Sequence, residues 1–446
     1  MAGAFDNIHP GLTCESAYKI LRSDVTELTC QSDFYMAVSH LINFPGPGTE
    51  SSLLEFLKRP SSEKSIAHAQ RKAVEVIARL GIGKAQVQIG ECLDSDDVYL
   101  VENAAWALGQ LDCQDHDLHD KMIRLLDDAP PNSRVLIQSL AKLEVRSAVP
   151  VMLKLQDDPR PSVQGAAIAA VARLQGPTVD LGILGEHLYL KNQMDRQSAV
   201  QDIIDSRAPE LLSDVIEAPI SPAFKIRAVR NLLALDEATK SKHDAVSMLD
   251  RLFLDESAQV VVLHRYEEKL EPELLIQGLF HPDFSMCYLA MQTLELQEVE
   301  TLSTLLLERW QSDAFNDYGA HYFFIQLFGR LKGWSESALQ SIKCILEEAM
   351  VDPRPQFRKS VPTSILSFAR VFPDLFSDRL GDRLISGNMA DSWQVKYAVL
   401  LSLEKYCRQD EQSKYLSYVG NLAESDGDSF VRLKAESLQQ NIISLG

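Results

Sequence analysis

From about residue 61 the chain repeats one unit: a helix, a turn rich in Asp and Pro, and a second helix with a Leu-x-x-Leu-like finish. The turn and second helix are read at Asp94 to Leu111, Asp127 to Leu143, Asp157 to Leu174, Pro222 to Leu235 and His281 to Leu296. They recur at Ser312 to Leu331, Asp352 to Arg370, Ala390 to Tyr406 and Asp426 to Ile442. Early copies lie roughly 31–33 residues apart and later ones are looser, within the range of helical-hairpin repeats. This recurrence limits the fold severely. One hairpin cannot bury its own apolar stripe, so neighbours must stack on it. Asp caps the second helix and Pro is tolerated in its first turn. No β-alternating segment of useful length is present. The predicted class is all-α, a right-handed α-solenoid of HEAT-like hairpins.

Residues 1–60 repeat nothing later. Asp33 to Ile42 reads as a helix ending at the breaker Asn43-Phe44-Pro45-Gly46-Pro47-Gly48, and Ser51 to Lys58 as a second short helix. The predicted organisation is an N-terminal helical cap over 1–60 and one continuous curved domain over 61–446. A solenoid needs such a cap, because its first repeat otherwise exposes an apolar face.

Charge and composition remove several function classes. A formal net charge of −19 repels phosphate backbones, so no nucleic-acid partner is expected. No apolar run approaches the roughly 18–20 residues of a membrane span. Met1 to Pro10 lacks the basic region and apolar core of a signal peptide. Cys14, Cys30, Cys92, Cys113, Cys287, Cys344 and Cys407 are scattered without a CxxC. Reduced thiols in a cytoplasmic setting are expected, with no disulfide framework and no metal site. There is no GxxxxGK[ST], GxGxxG after a strand, GxSxG, HExxH or EF-hand loop, so nucleotide-driven, serine-hydrolase and zinc-hydrolase chemistry have no support.

The outer faces of the second helices carry the unusual residues. In Tyr99 to Leu111, Leu100, Ala104, Ala107, Leu108 and Leu111 form one apolar stripe. The other face presents Tyr99, Glu102, Asn103, Trp106 and Gln110, where a solvated face would carry Lys and Glu. Later repeats add Arg134 and Gln138, then Arg227 and Arg230, then Tyr288. Asp317, Tyr318, His321 and Tyr322 follow, and then Trp393 and Tyr397. Asp157 to Leu174 is nearly blank there, with Gly165 and Ala169, and is read as room for a ligand. Each residue also has a plainer reading: Trp106 as a filler between helices, the arginines as surface charges, His321 as a satisfied buried histidine. Taken together, carboxylates, arginines and aromatics predicted on one concave surface suit a flat, conjugated, anionic ligand.

At Glu102-Asn103-Ala104-Ala105-Trp106-Ala107-Leu108-Gly109-Gln110-Leu111 the sequence resembles the HEAT-like repeat of phycobilisome bilin lyases of the E/F clan. The cap stretch from Phe34 to Pro47 is similar to the phycoerythrin-specific branch, in which one long chain does the work of two-chain lyases. The resemblance implies an enzyme that binds phycoerythrobilin as substrate, with no cofactor. It implies delivery of that pigment to a cysteine of a phycoerythrin subunit, often α, through a thioether at ring A. Some members also shift a double bond and yield phycourobilin; these are lyase-isomerases.

Thiol addition is helped by a carboxylate that holds the pyrrole N–H groups, for which Glu102 and Asp317 are candidates. Tyr318, His321 and Tyr322 are candidates for proton transfer. Arg134, Arg227 and Arg230 are candidates for the propionates, and Trp106 and Tyr99 for packing on a pyrrole ring. Asn103, Gln138, Tyr288, Trp393 and Tyr397 complete the predicted ligand surface. Two other readings stay open: a non-enzymatic HEAT scaffold that holds a peptide or helix, and a bilin-carrying chaperone.

Overall fold

Asp97 accepts hydrogen bonds from the backbone N–H groups of Tyr99 at 3.1 Å and Leu100 at 3.4 Å, and a helix begins there. The same device recurs at Asp283, at Asp317 and at Asp428. Each satisfies amides that a helix N-terminus otherwise leaves without partners. The structure is a computed structural model and describes residues 11–128, 133–176, 179–233, 239–376, 392–408, 412 and 414–445. Met1 to Pro10, residues 129–132 of one predicted turn and Ala390–Asp391 of another lie outside the described residues. Among the described residues there is no strand, and the fold is an all-α stack of paired helices, an α-solenoid arrangement.

The chain divides into two compact units, 1–183 and 184–446. In the first, α1 (Cys14–Arg22), α2 (Asp33–Leu41) and α3 (Pro47–Leu57) precede α4 (Lys64–Arg79), α5 (Gln86–Cys92) and α6 (Val98–Gln110). Then come α7 (His116–Asp127), α8 (Ser133–Lys142), α9 (Val149–Leu155) and α10 (Pro161–Gln175). Helices α2, α4, α6, α8 and α10 pack side by side in one layer, while α3, α5, α7 and α9 lie against them as a second. The repeat predicted this pairing. Helix α1 and the early start of α3 were not read from the sequence. Pro47 opens α3 at its first turn, where its missing N–H costs nothing. Ala17, Leu21, Phe34, Val38, Leu53 and Phe56 of the first three helices join the same continuous apolar core as Leu108, Leu140 and Val171.

The second unit begins within α11 (Gly182–His187) and contains α12 (Gln193–Ser206), α13 (Leu212–Glu217), α14 (Pro222–Leu233), α15 (Thr239–Leu254) and α16 (Pro272–Gly278). It continues with α17 (Phe284–Leu294), α18 (Val299–Ser312), α19 (Ala320–Arg330), α20 (Glu336–Met350) and α21 (Ser360–Val371). The last three are α22 (Trp393–Tyr406), α23 (Leu416–Ser425) and α24 (Ser429–Leu445). Helices α17, α19, α21, α22 and α24 form its inner row. Helix α15 lies across that row against α21 and α24. Buried charges tie it there: Lys434 of α24 donates to Asp250 of α15 at 2.7 Å and to Glu404 of α22 at 2.6 Å. Arg196 of α12, fully buried, pairs with Asp283, the cap of α17, and Arg230 of α14 pairs with Asp428 at 2.7 Å. A buried cation is tolerated only with such partners.

Both units use one close approach. Gly109 near the end of α6 faces Ser139 of α8, and Gly329 near the end of α19 faces Ser367 of α21. A Cβ on Gly109 would meet the Ser139 Cβ at 3.3 Å, a gap that small shifts relieve. On Gly329 it would meet the Ser367 Cβ at 2.5 Å and its Cα at 2.9 Å, which only a backbone shift relieves. We therefore expect Gly329→Ala to destabilise the protein by about 1–3 kcal/mol. Gly109→Ala should be nearly neutral, because a helix-propensity gain of about 1 kcal/mol offsets the tighter contact. Thermal unfolding of the two variants checks the order, and equal melting temperatures would contradict it.

Candidate functional site

The tetrapeptide Asp-Pro-Arg-Pro occurs twice, at 158–161 and at 352–355. Both copies fold into the same clasp. Asp158 Oδ1 accepts from the Arg160 amide at 2.8 Å and Oδ2 from its guanidinium at 2.7 Å. Asp352 does the same with Arg354, at 2.9 and 2.7 Å. After the first clasp the helix starts at once, with Pro161 as the first residue of α10. After the second a 3-10 turn, Pro355–Phe357, intervenes and α21 starts only at Ser360. The added residues end in Arg358 and Lys359.

Those two cations line a cavity of about 680 Å³ in the second unit. Ser221, Pro222 and Ala223 at the start of α14, Phe284 of α17 and Ser392, Gln394 and Val395 at the start of α22 also line it. Ile226, Leu252, Phe253, Val361 and Pro362 give it apolar walls, and Tyr322 of α19 reaches it. Its volume falls within the ~300–1,000 Å³ range of small-molecule sites. The Lys359 ammonium sits 3.9 Å from the centre of the Tyr318 ring and 5.9 Å from that of Phe284. Burial pushes this amine down to about 8, while Asp317 and the Cys287 thiol pull the other way. Tyr318 itself is exposed and Asp317 half-buried. Two predicted residues are thus brought together around a lysine that was not predicted.

Under the cavity lies a polar hub. Asp255, just after α15 and held at φ 43°, accepts from the Tyr288 hydroxyl at 2.9 and 2.8 Å and from the Tyr322 hydroxyl at 2.7 Å. Burial raises its carboxyl, and Lys225, the phenols and Arg330 oppose that. Lys225, fully buried, donates to the Ile216 carbonyl at 2.8 Å and is pushed down to about 8 by burial. Arg330 donates to the carbonyls of Leu254 and Asp255 and pairs with Glu256 at 2.9 Å; Arg370 reaches Glu256 at 3.1 Å. The Tyr288 and Tyr322 phenols are raised well above 10, by burial first and then by Asp255.

The sequence put Tyr288, Tyr322 and Tyr397 on a free face, whereas the structure buries all three. Their hydroxyls are matched to carboxylates, those of Tyr288 and Tyr322 to the buried Asp255 and that of Tyr397 to the half-buried Asp250 at 2.9 Å. His321 is buried between Trp310 and Phe357, its ring stacked 4.3 Å from Phe357 and its Nδ1 2.9 Å from the Ser360 hydroxyl. Arg230 lies 3.8 Å over the Trp393 ring, beside Phe253 and Tyr397. Arg227 is exposed and donates to Gln201 at 2.7 Å.

The remaining predicted residues belong to the first unit. Glu102 is half-buried on α6 without a side-chain partner among the described residues, and burial raises its carboxyl. Trp106, one turn on, packs against the core, and Asn103 donates to the Arg71 carbonyl at 2.9 Å. Tyr99 is exposed under the Arg71 guanidinium at 4.7 Å. Arg134 donates to the Ser162 carbonyl at 2.5 Å, and Gln138 is half-buried on α8. Gly165 and Ala169, read as free space, are buried along α10. Asp255, Lys225 and Lys359 escaped the sequence reading. The repeated Asp-Pro-Arg-Pro was the signal that marks the extended turn before Lys359.

No family model matches the chain. It is 39% identical over 411 residues to the bilin biosynthesis protein CpeY of Synechococcus sp. (strain WH8020), covering 92% of this chain and 98% of that one. It is 29% identical over 428 residues to the uncharacterized phycocyanin operon protein Y of Pseudanabaena tenuis (strain PCC 7409), covering 96% and 98%. Among solved structures, the complex of CpcE and CpcF of phycocyanin lyase from Nostoc sp. PCC7120 covers 54% of this chain and 95% of that one. Its TM-score is 0.47 and its identity 23%.

Burial pushes the His321 imidazole down from 6.5 to about 4, so it is neutral in the folded chain at neutral pH. The unfolded chain takes up the proton below about 6.5 and the folded chain only near 4. Stability is therefore full above about 6.5 and falls by about 3 kcal/mol as pH drops to about 4. We expect His321→Asn, which cannot titrate, to lose less of its melting temperature between pH 7.5 and pH 5 than the parent protein. Parallel losses in the two proteins would refute the assignment.

Proposed function

The chain belongs to the family of the bilin biosynthesis protein CpeY, and on that premise we propose that it is a bilin lyase. The reading is that it takes phycoerythrobilin as substrate and attaches it through a thioether to a cysteine of a phycoerythrin subunit, α in the first instance. The observation that carries it is 39% identity to a bilin biosynthesis protein over an alignment that covers 92% of the chain. The cavity of the second unit supports it, having the size and the apolar, aromatic and cationic lining that suit a flat anionic pigment.

The reaction asks little covalent chemistry of this chain. The partner's thiol adds across the exocyclic double bond of ring A: sulfur bonds to the exocyclic carbon and the proton ends on the ring. No oxidant, leaving group or cofactor is needed. The lyase's share is to hold the pigment, stabilise a protonated tetrapyrrole and keep water out. Asp317, just before α19 and near the cavity's Lys359, is proposed as the carboxylate that faces pyrrole N–H groups. Glu102 is proposed for the same task on the first unit, where its raised carboxyl has no competing side-chain partner among the described residues. Tyr318 is the proposed proton carrier, because its hydroxyl is exposed and uncommitted, whereas that of Tyr322 is given to Asp255. Isomerisation to phycourobilin takes one proton from ring A and delivers one to a nearby carbon, and the same group is proposed for both transfers.

Incubating the purified protein with phycoerythrobilin and the apo-phycoerythrin α subunit tests this directly. We expect acid-stable covalent pigment on the subunit. Pigment that binds the chain but never becomes covalent on the partner marks a carrier instead. The emission maximum of the product reports isomerisation, since phycourobilin, with its shorter conjugation, emits at shorter wavelength. Glu102→Gln and Tyr318→Phe should each slow transfer by about 10²–10⁴-fold if the two groups act as proposed. Wild-type rates in both variants would remove them from the mechanism.

A further inference from the structure

Lys359 differs from three other lysines of its unit. Among the described residues, Lys225, Lys396 and Lys434 are likewise withdrawn from solvent, and each donates to oxygen. Lys225 reaches the Ile216 carbonyl at 2.8 Å, Lys396 the Asp426 carboxylate at 2.6 Å, and Lys434 two carboxylates. This follows from the cost of removing an ammonium from water. Lys359 has no oxygen partner among the described residues. The Tyr318 and Phe284 rings lie against it, and the Asp317 carboxylate is near enough to act on its charge without forming an ion pair. Its free side lines the cavity. Arg358, the next cation on the same turn, is exposed at the cavity and equally without a side-chain partner among the described residues. The acid in the lining, Asp352, is already clasped by Arg354.

The arginines that sequence alone offered as carboxylate binders are committed elsewhere. Arg134 donates to the Ser162 carbonyl, Arg227 to Gln201 and Arg230 to Asp428. The first copy of the Asp-Pro-Arg-Pro clasp leads straight into its helix and carries no such pair. The added turn therefore brings two cations without an ion-pair or hydrogen-bond partner among the described residues to an apolar-walled cavity.

We propose that Lys359, with Arg358 beside it, is the binding point for a free carboxylate of the cavity's ligand, so that the site selects the acid form of a conjugated pigment over its ester. The proposal rests on the bilin reading for the ligand's identity. The chemistry favours a carboxylate. The Lys359 ammonium lines the cavity as a donor without a hydrogen-bond partner among the described residues, and the walls formed by Ile226, Leu252, Phe253 and Val361 suit the apolar body of such a molecule.

The test is an absorption titration of the full chain with phycoerythrobilin and, separately, with its dimethyl ester. The parent protein, Lys359→Gln and Lys359→Arg are compared. The parent should bind the acid roughly ten- to hundredfold tighter than the ester, the size of one charge-assisted hydrogen bond. Lys359→Gln should lose that preference while keeping its affinity for the ester, which also shows that the variant folds. Lys359→Arg should keep the preference. A Lys359→Gln variant that still distinguishes acid from ester as the parent does overturns the proposal. So does a parent that binds both alike, and in that case covalent transfer to the partner subunit still stands as the separate measure of the lyase reading. Binding of neither form overturns both.

Discussion

A single buried carboxylate organises the second unit. Asp255 stands between the end of α15 and the inner row, and it takes hydroxyls from α17 and α19 at once. Arg330 of α19 closes over the same corner by holding two backbone carbonyls and Glu256. Arg370 of α21 takes Glu256 and also donates to Tyr406 of α22 at 2.9 Å. Three consecutive inner helices are thus registered on three residues of one bend, and α22 is tied to them through Arg370. Non-directional apolar packing alone would let such helices slide. A buried acid with fixed donors does not, since every slip leaves a charge or hydroxyl without a partner. Tyr322, Leu252 and Phe253 join this corner to the cavity wall.

The lysine at the cavity mouth and the carboxylate beneath it obey opposite rules. Asp255 is fully enclosed and fully partnered, which suits a structural group. Lys359 is only partly enclosed and meets rings in place of oxygens. Fixed aromatic faces lower the cost of keeping a cation there without cancelling its demand for an acceptor. The site thus combines a rigid floor with an unsatisfied rim.

Much of the stack was legible in the sequence. The turns rich in Asp and Pro marked the second helices, and Asp97, Asp283, Asp317 and Asp428 do cap them. The candidate site was legible in part. Asp317 and Tyr318 were singled out for their chemistry and do lie beside the cavity's lysine. Tyr288, Tyr322 and Tyr397 were misplaced because periodicity reports which face a residue occupies within its own helix. It cannot report that α15 crosses that face. Their partners Asp255 and Asp250 lie 33 to 147 residues away in sequence, on a segment outside the repeat register. Lys359 was hidden for a related reason: the pattern read Asp352 to Arg370 as one turn and one helix, and so absorbed the extra turn between them.

That extra turn has a consequence for how such a chain acquires chemistry. The two Asp-Pro-Arg-Pro clasps are interchangeable as structural parts, and each fixes the chain in the same local geometry. Lengthening the connector downstream of one of them leaves the clasp and the helix core untouched, and the entropic cost of a longer connector grows only slowly with its length. Repetition thus supplies spare junctions. A binding function can be grafted at one of them by insertion while every neighbouring module keeps its original fit.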